Sequence, residues 1–141
     1  MLREDRGMVG LLILAGLGQL ALAMGSAAIP IVLRWREDTA RLRPLTRQVF
    51  WTYAGYIWAT NVAFGLLSAI APRLLVDGSA LARIIAAYIT LYWGARVVIQ
   101  FTYFDRTDAP PGRLTQLGEA ALVGLFVYLT AVYGALALGF R

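Results

Sequence analysis

Apolar positions in this 141-residue chain gather into four long blocks, separated by short clusters of arginine, acidic residues, proline and glycine. The blocks run from about Met8 to Leu33, Val49 to Ala71, Ala80 to Phe104 and Gln116 to Phe140. Each can cross a bilayer, because about 20 mostly apolar residues at ~1.5 Å rise per residue match a core roughly 30 Å thick. No stretch alternates apolar and polar residues as a half-buried strand would. The expected fold class is all-α: an integral membrane protein, a single domain over residues 1–141, built as an antiparallel four-transmembrane-helix bundle.

The first block holds no ionisable residue and exceeds the length a bilayer core needs, so it should tilt or bend, with Pro30 as the expected kink. Arg3 and Arg6 ahead of it, and the small residues near Ala23 to Ala28, also resemble a secretory signal peptide, but a retained membrane helix is expected. Gly18, Ala21, Gly25 and Ala28 recur at three- and four-residue steps and form a stripe without bulk. Such stripes let helices approach closely in lipid, either within the chain or against a partner subunit.

The second block ends at Pro72 and carries Tyr53, Asn61, Phe64 and Ser68 on one face. Asn61 lies near mid-membrane, where an unpaired amide costs several kcal/mol in order of magnitude. Asp77-Gly78 supplies a turn and Ser79 an N-cap for the third block, which makes the second and third blocks expected neighbours. In the third block Tyr88, Tyr92, Arg96 and Gln100 step by four around one face, and Tyr103 falls back among them. Pro110, Pro111 and Gly112 interrupt the next connection, and Thr115 is the expected cap of the fourth block. There Glu119, Phe126, Thr130 and Tyr133 share a face, while Ala131, Ala135 and Gly139 make a second small-residue row.

Composition sharpens this picture. With 60% hydrophobic and 15% charged residues, the chain departs from soluble proteins, in which about a quarter of residues are charged. All thirteen basic residues are arginine, so the formal +5 is permanent. Arg34, Arg36, Arg41, Arg43 and Arg47 crowd one connection beside Trp35 and Trp51, as expected of contacts with anionic lipid headgroups at an interfacial aromatic belt. They flank apolar blocks instead of lining a soluble face, which speaks against nucleic acid. The first and third connections hold seven arginines (Arg34, Arg36, Arg41, Arg43, Arg47, Arg106, Arg113) against five on the other side (Arg3, Arg6, Arg73, Arg83, Arg141). The positive-inside rule then puts both termini outside, in a membrane of the bacterial inner type.

No cysteine or histidine is present, which excludes thiol nucleophiles, Cys/His metal sites, histidine-ligated haem and the ordinary general base near neutral pH. No phosphate-binding glycine loop, HExxH or nucleophile elbow occurs either. No catalytic residue, metal or cofactor of its own is therefore expected, and no enzymatic activity. The candidate polar site centres on Arg96, since an arginine inside a span costs at least ~2.5 kcal/mol and usually faces protein or water. Asn61, Gln100, Tyr88, Tyr92 and Tyr103 are its expected surroundings, with Glu119 a secondary partner. Side-chain lean toward the helix N-terminus favours Asn61 over Glu119. The expected function is a small non-catalytic accessory subunit of a larger membrane complex. The alternative is a lipid- or quinone-binding or transporting protein, assembled as a homo-oligomer around an Arg96 pocket.

Overall fold

The computed structural model describes residues 2–107 and 109–140, with side chains from Arg6 onward. Arg141 and the side chain of Arg3, both used above for orientation, lie outside the described residues. The described chain is all-helical, with α1 (Leu2–Ser26), α2 (Ile29–Val32), α3 (Trp35–Ala40), α4 (Pro44–Ile70), α5 (Pro72–Val76), α6 (Ala80–Thr102) and α7 (Arg113–Ala137). Three stretches are long and apolar enough to cross a membrane: Arg6–Val32, Ala80–Thr102 and Arg113–Ala137. α4 is as long, at 27 residues, but interleaves Trp51, Thr52, Tyr53, Tyr56, Trp58, Thr60 and Asn61 among its apolar positions.

Local chemistry sets the boundaries. α4 starts at Pro44, ahead of the apolar block that begins near Val49, as expected of a proline that fits a first turn where its missing N–H has no intrahelical partner. Ser79 caps α6 as expected, its hydroxyl accepting from the Ala82 N–H at 3.1 Å. Gly78, at φ 79°, supplies the left-handed turn before it. Thr115 does not cap the last helix, which begins two residues earlier at Arg113, with Gly112 in the cap position and no side-chain cap bond. The bend expected at Pro30 comes just before it, between α1 and α2. The connection expected to be a loop contains α3, entered through Arg34 in a left-handed conformation (φ 51°) that reverses the chain.

The long helices pair two by two. α1 packs chiefly on α4, and α6 on α7. Both pairs are antiparallel: Gly16 meets Gly65 and Ala69 while Ala23 meets Trp58, and Thr90 faces Gly134 while Gln100 faces Glu119. The second and third blocks, expected as neighbours, meet mainly through side chains, Phe64 against Tyr88 and Tyr92. Their connection is occupied by α5, which packs on α1 and α6 and holds the two pairs together at that end. The core lies between the pairs and contains Leu12, Ala15, Ile89, Trp93, Phe126, Leu129, Tyr133 and Leu136.

Closest approach is between α1 and α4. A Cβ added to Gly16 would stand 2.5 Å from the Ala69 nitrogen and 2.7 Å from the Gly65 oxygen, so only glycine allows this contact. The inward seam of α1 is Met8, Leu12, Ala15, Gly16, Gln19 and Ala23. Of the expected stripe, Gly18 packs against Leu125 of α7, while Ala21, Gly25 and Ala28 face outward.

Candidate functional site

The most buried polar cluster joins all four long helices. Gln19 on α1, Ser68 on α4, Trp93 on α6 and Tyr133 on α7 are each no more than 1% exposed. The Gln19 amide donates to the Tyr133 hydroxyl at 2.7 Å and to its own helix at the Ala15 carbonyl, 3.2 Å. Its oxygen accepts from the Trp93 indole at 3.1 Å. Tyr133 in turn shares a hydrogen bond with the Ser68 hydroxyl. Both donors and the acceptor of one amide are thus used, which is what a low-dielectric interior demands of a buried polar group.

Stacked and edge-on rings surround this cluster. Trp93 lies flat against Phe126 at 5.3 Å, Tyr92 meets Trp93 edge-on at 5.1 Å, and Phe64 meets Tyr92 at 5.4 Å. From this aromatic wall Tyr92 donates to the Asn61 side-chain oxygen at 2.8 Å, giving the mid-helix amide of α4 its partner.

Arg96 sits six residues before the end of α6, about 9 Å by helical rise. Its guanidinium donates to Gln100 at 3.2 Å and lies 4.8 Å from the Phe104 ring and 5.1 Å from that of Phe126. The side chain therefore reaches toward the C-terminal end of α6, as a long cationic side chain does when its head seeks the interface. The contact expected with Asn61 is absent among the described hydrogen bonds, and the polar chain continues the other way. Gln100 donates to Glu119 at 3.0 Å, and Glu119 pairs with Arg106 at 3.0 Å. One carboxylate thus serves Arg106 directly and Arg96 through an amide relay.

Of the expected surroundings of Arg96, the structure gathers Gln100 and Glu119. Tyr92 and Asn61 pair with each other a turn deeper. Tyr88 is exposed, with its ring edge on Phe64, and Tyr103 is exposed beside Phe104. A shallow groove beside Glu119 runs between α6 and α7 and is lined by Phe101, Gln116, Ala120 and Val123.

At the end of the molecule where α3 turns into α4, rings from Trp35, Phe50 and Trp51 meet edge-to-face at 5.0–6.1 Å. All five arginines of this segment, Arg34, Arg36, Arg41, Arg43 and Arg47, are exposed. Arg34 approaches Glu37 at 3.7 Å, and Arg36 and Arg47 border an open cavity with Thr39 and Trp51. In the loop after α6, Asp105 accepts from the Thr107 N–H at 2.9 Å, which holds its carboxyl below the usual aspartate range.

Gln19 and Trp93 escape a reading by charge, because neither ionises and each is a single polar group in an apolar run. The available signal was register: Gln19 continues the inward spacing Leu12, Ala15, Gly16 at helical steps. Comparison with protein-family models, curated proteins and solved structures finds no match to this chain.

Proposed function

We propose that this protein is a small non-catalytic subunit of a larger membrane complex, a bundle of four transmembrane helices that docks on its neighbours through outward small-residue faces. The observation that carries this reading is an outward row of small residues on α1 and the turn after it. Ala21, Gly25 and Ala28 lie exposed, and nothing stands within 4 Å of a Cβ added at Gly25. α7 adds exposed Ala131 and half-buried Ala135, and Gly139 is exposed in the turn after it. Helices associate in lipid by close backbone approach, since apolar side chains gain nothing from leaving an apolar solvent. A bulk-free outward face is therefore a docking face.

The interior supports the same reading. Its polar side chains are spent on one another, and the helices are held by the Gln19–Tyr133–Ser68 linkage and the Gly16 contact. α4 enters the membrane as the fourth span despite its Tyr and Trp positions, because Asn61 and Ser68 are partnered inside. The arginine-rich α1–α4 and α6–α7 connections lie at one end of the antiparallel pairs, which supports an orientation with both termini outside, in an inner membrane of the bacterial type.

The test is gentle extraction of the tagged protein followed by native mass spectrometry. A reproducible partner of defined stoichiometry is expected. A lone monomer carrying lipid alone would overturn the proposal.

One observation favours a second reading, an amphiphile such as lipid or quinone held near Arg96: the groove beside Glu119, with the Arg96 relay at its edge. In that case Arg96→Ala should lose a co-purified amphiphile while helicity is retained, and unchanged amphiphile content would dismiss it.

A further inference from the structure

We propose that Arg36, Thr39, Arg47 and Trp51 form a binding site for the phosphate of an anionic phospholipid, with an acyl chain running down α4 over Gly55. These four residues line one cavity where α3 turns into α4. Its floor is fixed. Thr39 is buried and donates to the Trp35 carbonyl at 2.5 Å, while the Trp51 indole donates to the Thr39 hydroxyl at 3.3 Å. Edge-to-face contacts of Trp35 with Phe50 and Trp51 hold the rings in place. With its N–H committed to Thr39, Trp51 offers the cavity an apolar face, and the free donors are the two guanidinium groups.

Those groups are available. Among the described residues, Arg34 has Glu37 within ion-pair distance, whereas no carboxylate lies within that distance of Arg36 or Arg47. A guanidinium presents N–H donors in a planar fork that matches the oxygens of a phosphate two at a time, and two such forks border this one cavity. The interfacial aromatic cluster puts the site at headgroup depth.

The surface below the cavity points to a lipid as the source of the phosphate. Arg47, Trp51 and Gly55 follow one another at four-residue steps on one face of α4. Gly55 leaves open space, with nothing within 4 Å of an added Cβ, directly one turn beyond the indole. Ile31 and Val32 on α2, which packs on α3, are exposed apolar side chains. A free inorganic phosphate would use the arginines and none of this surface. The site is independent of subunit docking, which concerns the outward face of α1.

The experiment uses the whole chain in phosphatidylcholine vesicles with a minor fraction of phosphatidylglycerol. After extraction, the phosphatidylglycerol retained per protein is counted by native mass spectrometry. Arg36→Gln with Arg47→Gln should lower retention about tenfold, and the charge-matched pair Arg41→Gln with Arg43→Gln less than about twofold. Gly55→Leu, which keeps every charge, should lower it several-fold. Equal losses in the two charge-matched pairs, or unchanged retention without Arg36 and Arg47, would overturn the site. Displacement of the lipid by inorganic phosphate, together with normal retention in Gly55→Leu, would overturn the lipid in favour of a free anion. Should the Gln pair lose helicity, Arg36→Lys with Arg47→Lys keeps the charge but not the fork, and undiminished retention there would overturn fork recognition.

Discussion

Gln19, Ser68, Trp93 and Tyr133 exchange hydrogen bonds in the sealed centre of the molecule, whereas Arg96, Gln100, Glu119 and Arg106 run outward along the α6–α7 pair to a partly exposed ion pair. The first cluster is neutral and drawn from four helices. The second is charged and drawn from two helices and the connection between them. Neutral amide, indole and hydroxyl groups can be enclosed at little cost once each donor finds an acceptor. A guanidinium enclosed in the same way would carry a desolvation penalty of several kcal/mol that a single partner need not repay. Arg96 instead rests between two rings and passes its polarity to the interface. The inner cluster sets register, and the outer one finishes an end of a helix pair.

The sharpest way to break the inner cluster is to push α1 off α4. Gly16→Ala should lower stability by about 3 kcal/mol, because the new methyl meets backbone atoms that cannot rotate away. Gly25→Ala, on the outward face of the same helix, should change it by less than about 0.5 kcal/mol. Reversible unfolding in mixed micelles measures both. Next in size, Gln19→Leu leaves the Trp93 and Tyr133 groups without their amide and should cost about 2 kcal/mol. Tyr133→Phe should cost about 1 kcal/mol, toward the modest values found for interhelical hydrogen bonds in membranes.

On the outer cluster, Arg96→Gln should cost less than about 1 kcal/mol, since its partners are half-exposed and its replacement can still bond. A Gln19/Arg96 double-mutant cycle should be additive within about 0.5 kcal/mol. If Arg96→Gln proves costlier than Gln19→Leu, the contrast between the clusters collapses. The smallest effect concerns Asp105. Its carboxyl is held low in the folded state, so its stabilisation is present above the ordinary aspartate pKa of about 3.9 and is lost as pH falls through the lower folded value. The melting difference between wild type and Asp105→Asn should therefore shrink on acidification, and a difference that grows would reverse the assignment.

Much of the helical layout was legible from apolar block length, and Ser79 was legible as a cap because its chemistry is local. Helix starts do not coincide with the edges of the apolar blocks. α1 continues through Arg6, and α4 through Arg47, since a helix can extend past the apolar boundary with polar residues on its solvated turns. The phase of α1 was harder. Its glycines and alanines occupy several faces, so the row Gly18, Ala21, Gly25 and Ala28 competes with the row through Gly16, and only the partner helix decides which turns inward. On α6 and α7, Arg96, Gln100 and Glu119 announce themselves by charge or spacing, but their pairing was not legible: side-chain lean favoured Asn61, whereas the Arg96 head turns to Gln100 and, through it, Glu119. The polar site was illegible where single neutral residues cooperate: Gln19, Ser68, Trp93 and Tyr133 are distant in sequence, and each alone resembles a tolerated polar residue in an apolar run.

We propose that the inward face of α1 is consumed by its own chain while the outward face is left for another protein. The chain has no cysteine, so a single introduced thiol reports one position at a time. Gly25→Cys and Ala15→Cys, each cross-linked in native membranes with a short bifunctional reagent, test the two faces directly. A discrete adduct with a second protein at position 25 and none at position 15 is the expected result. No adduct at position 25, or equal labelling at both, would contradict it.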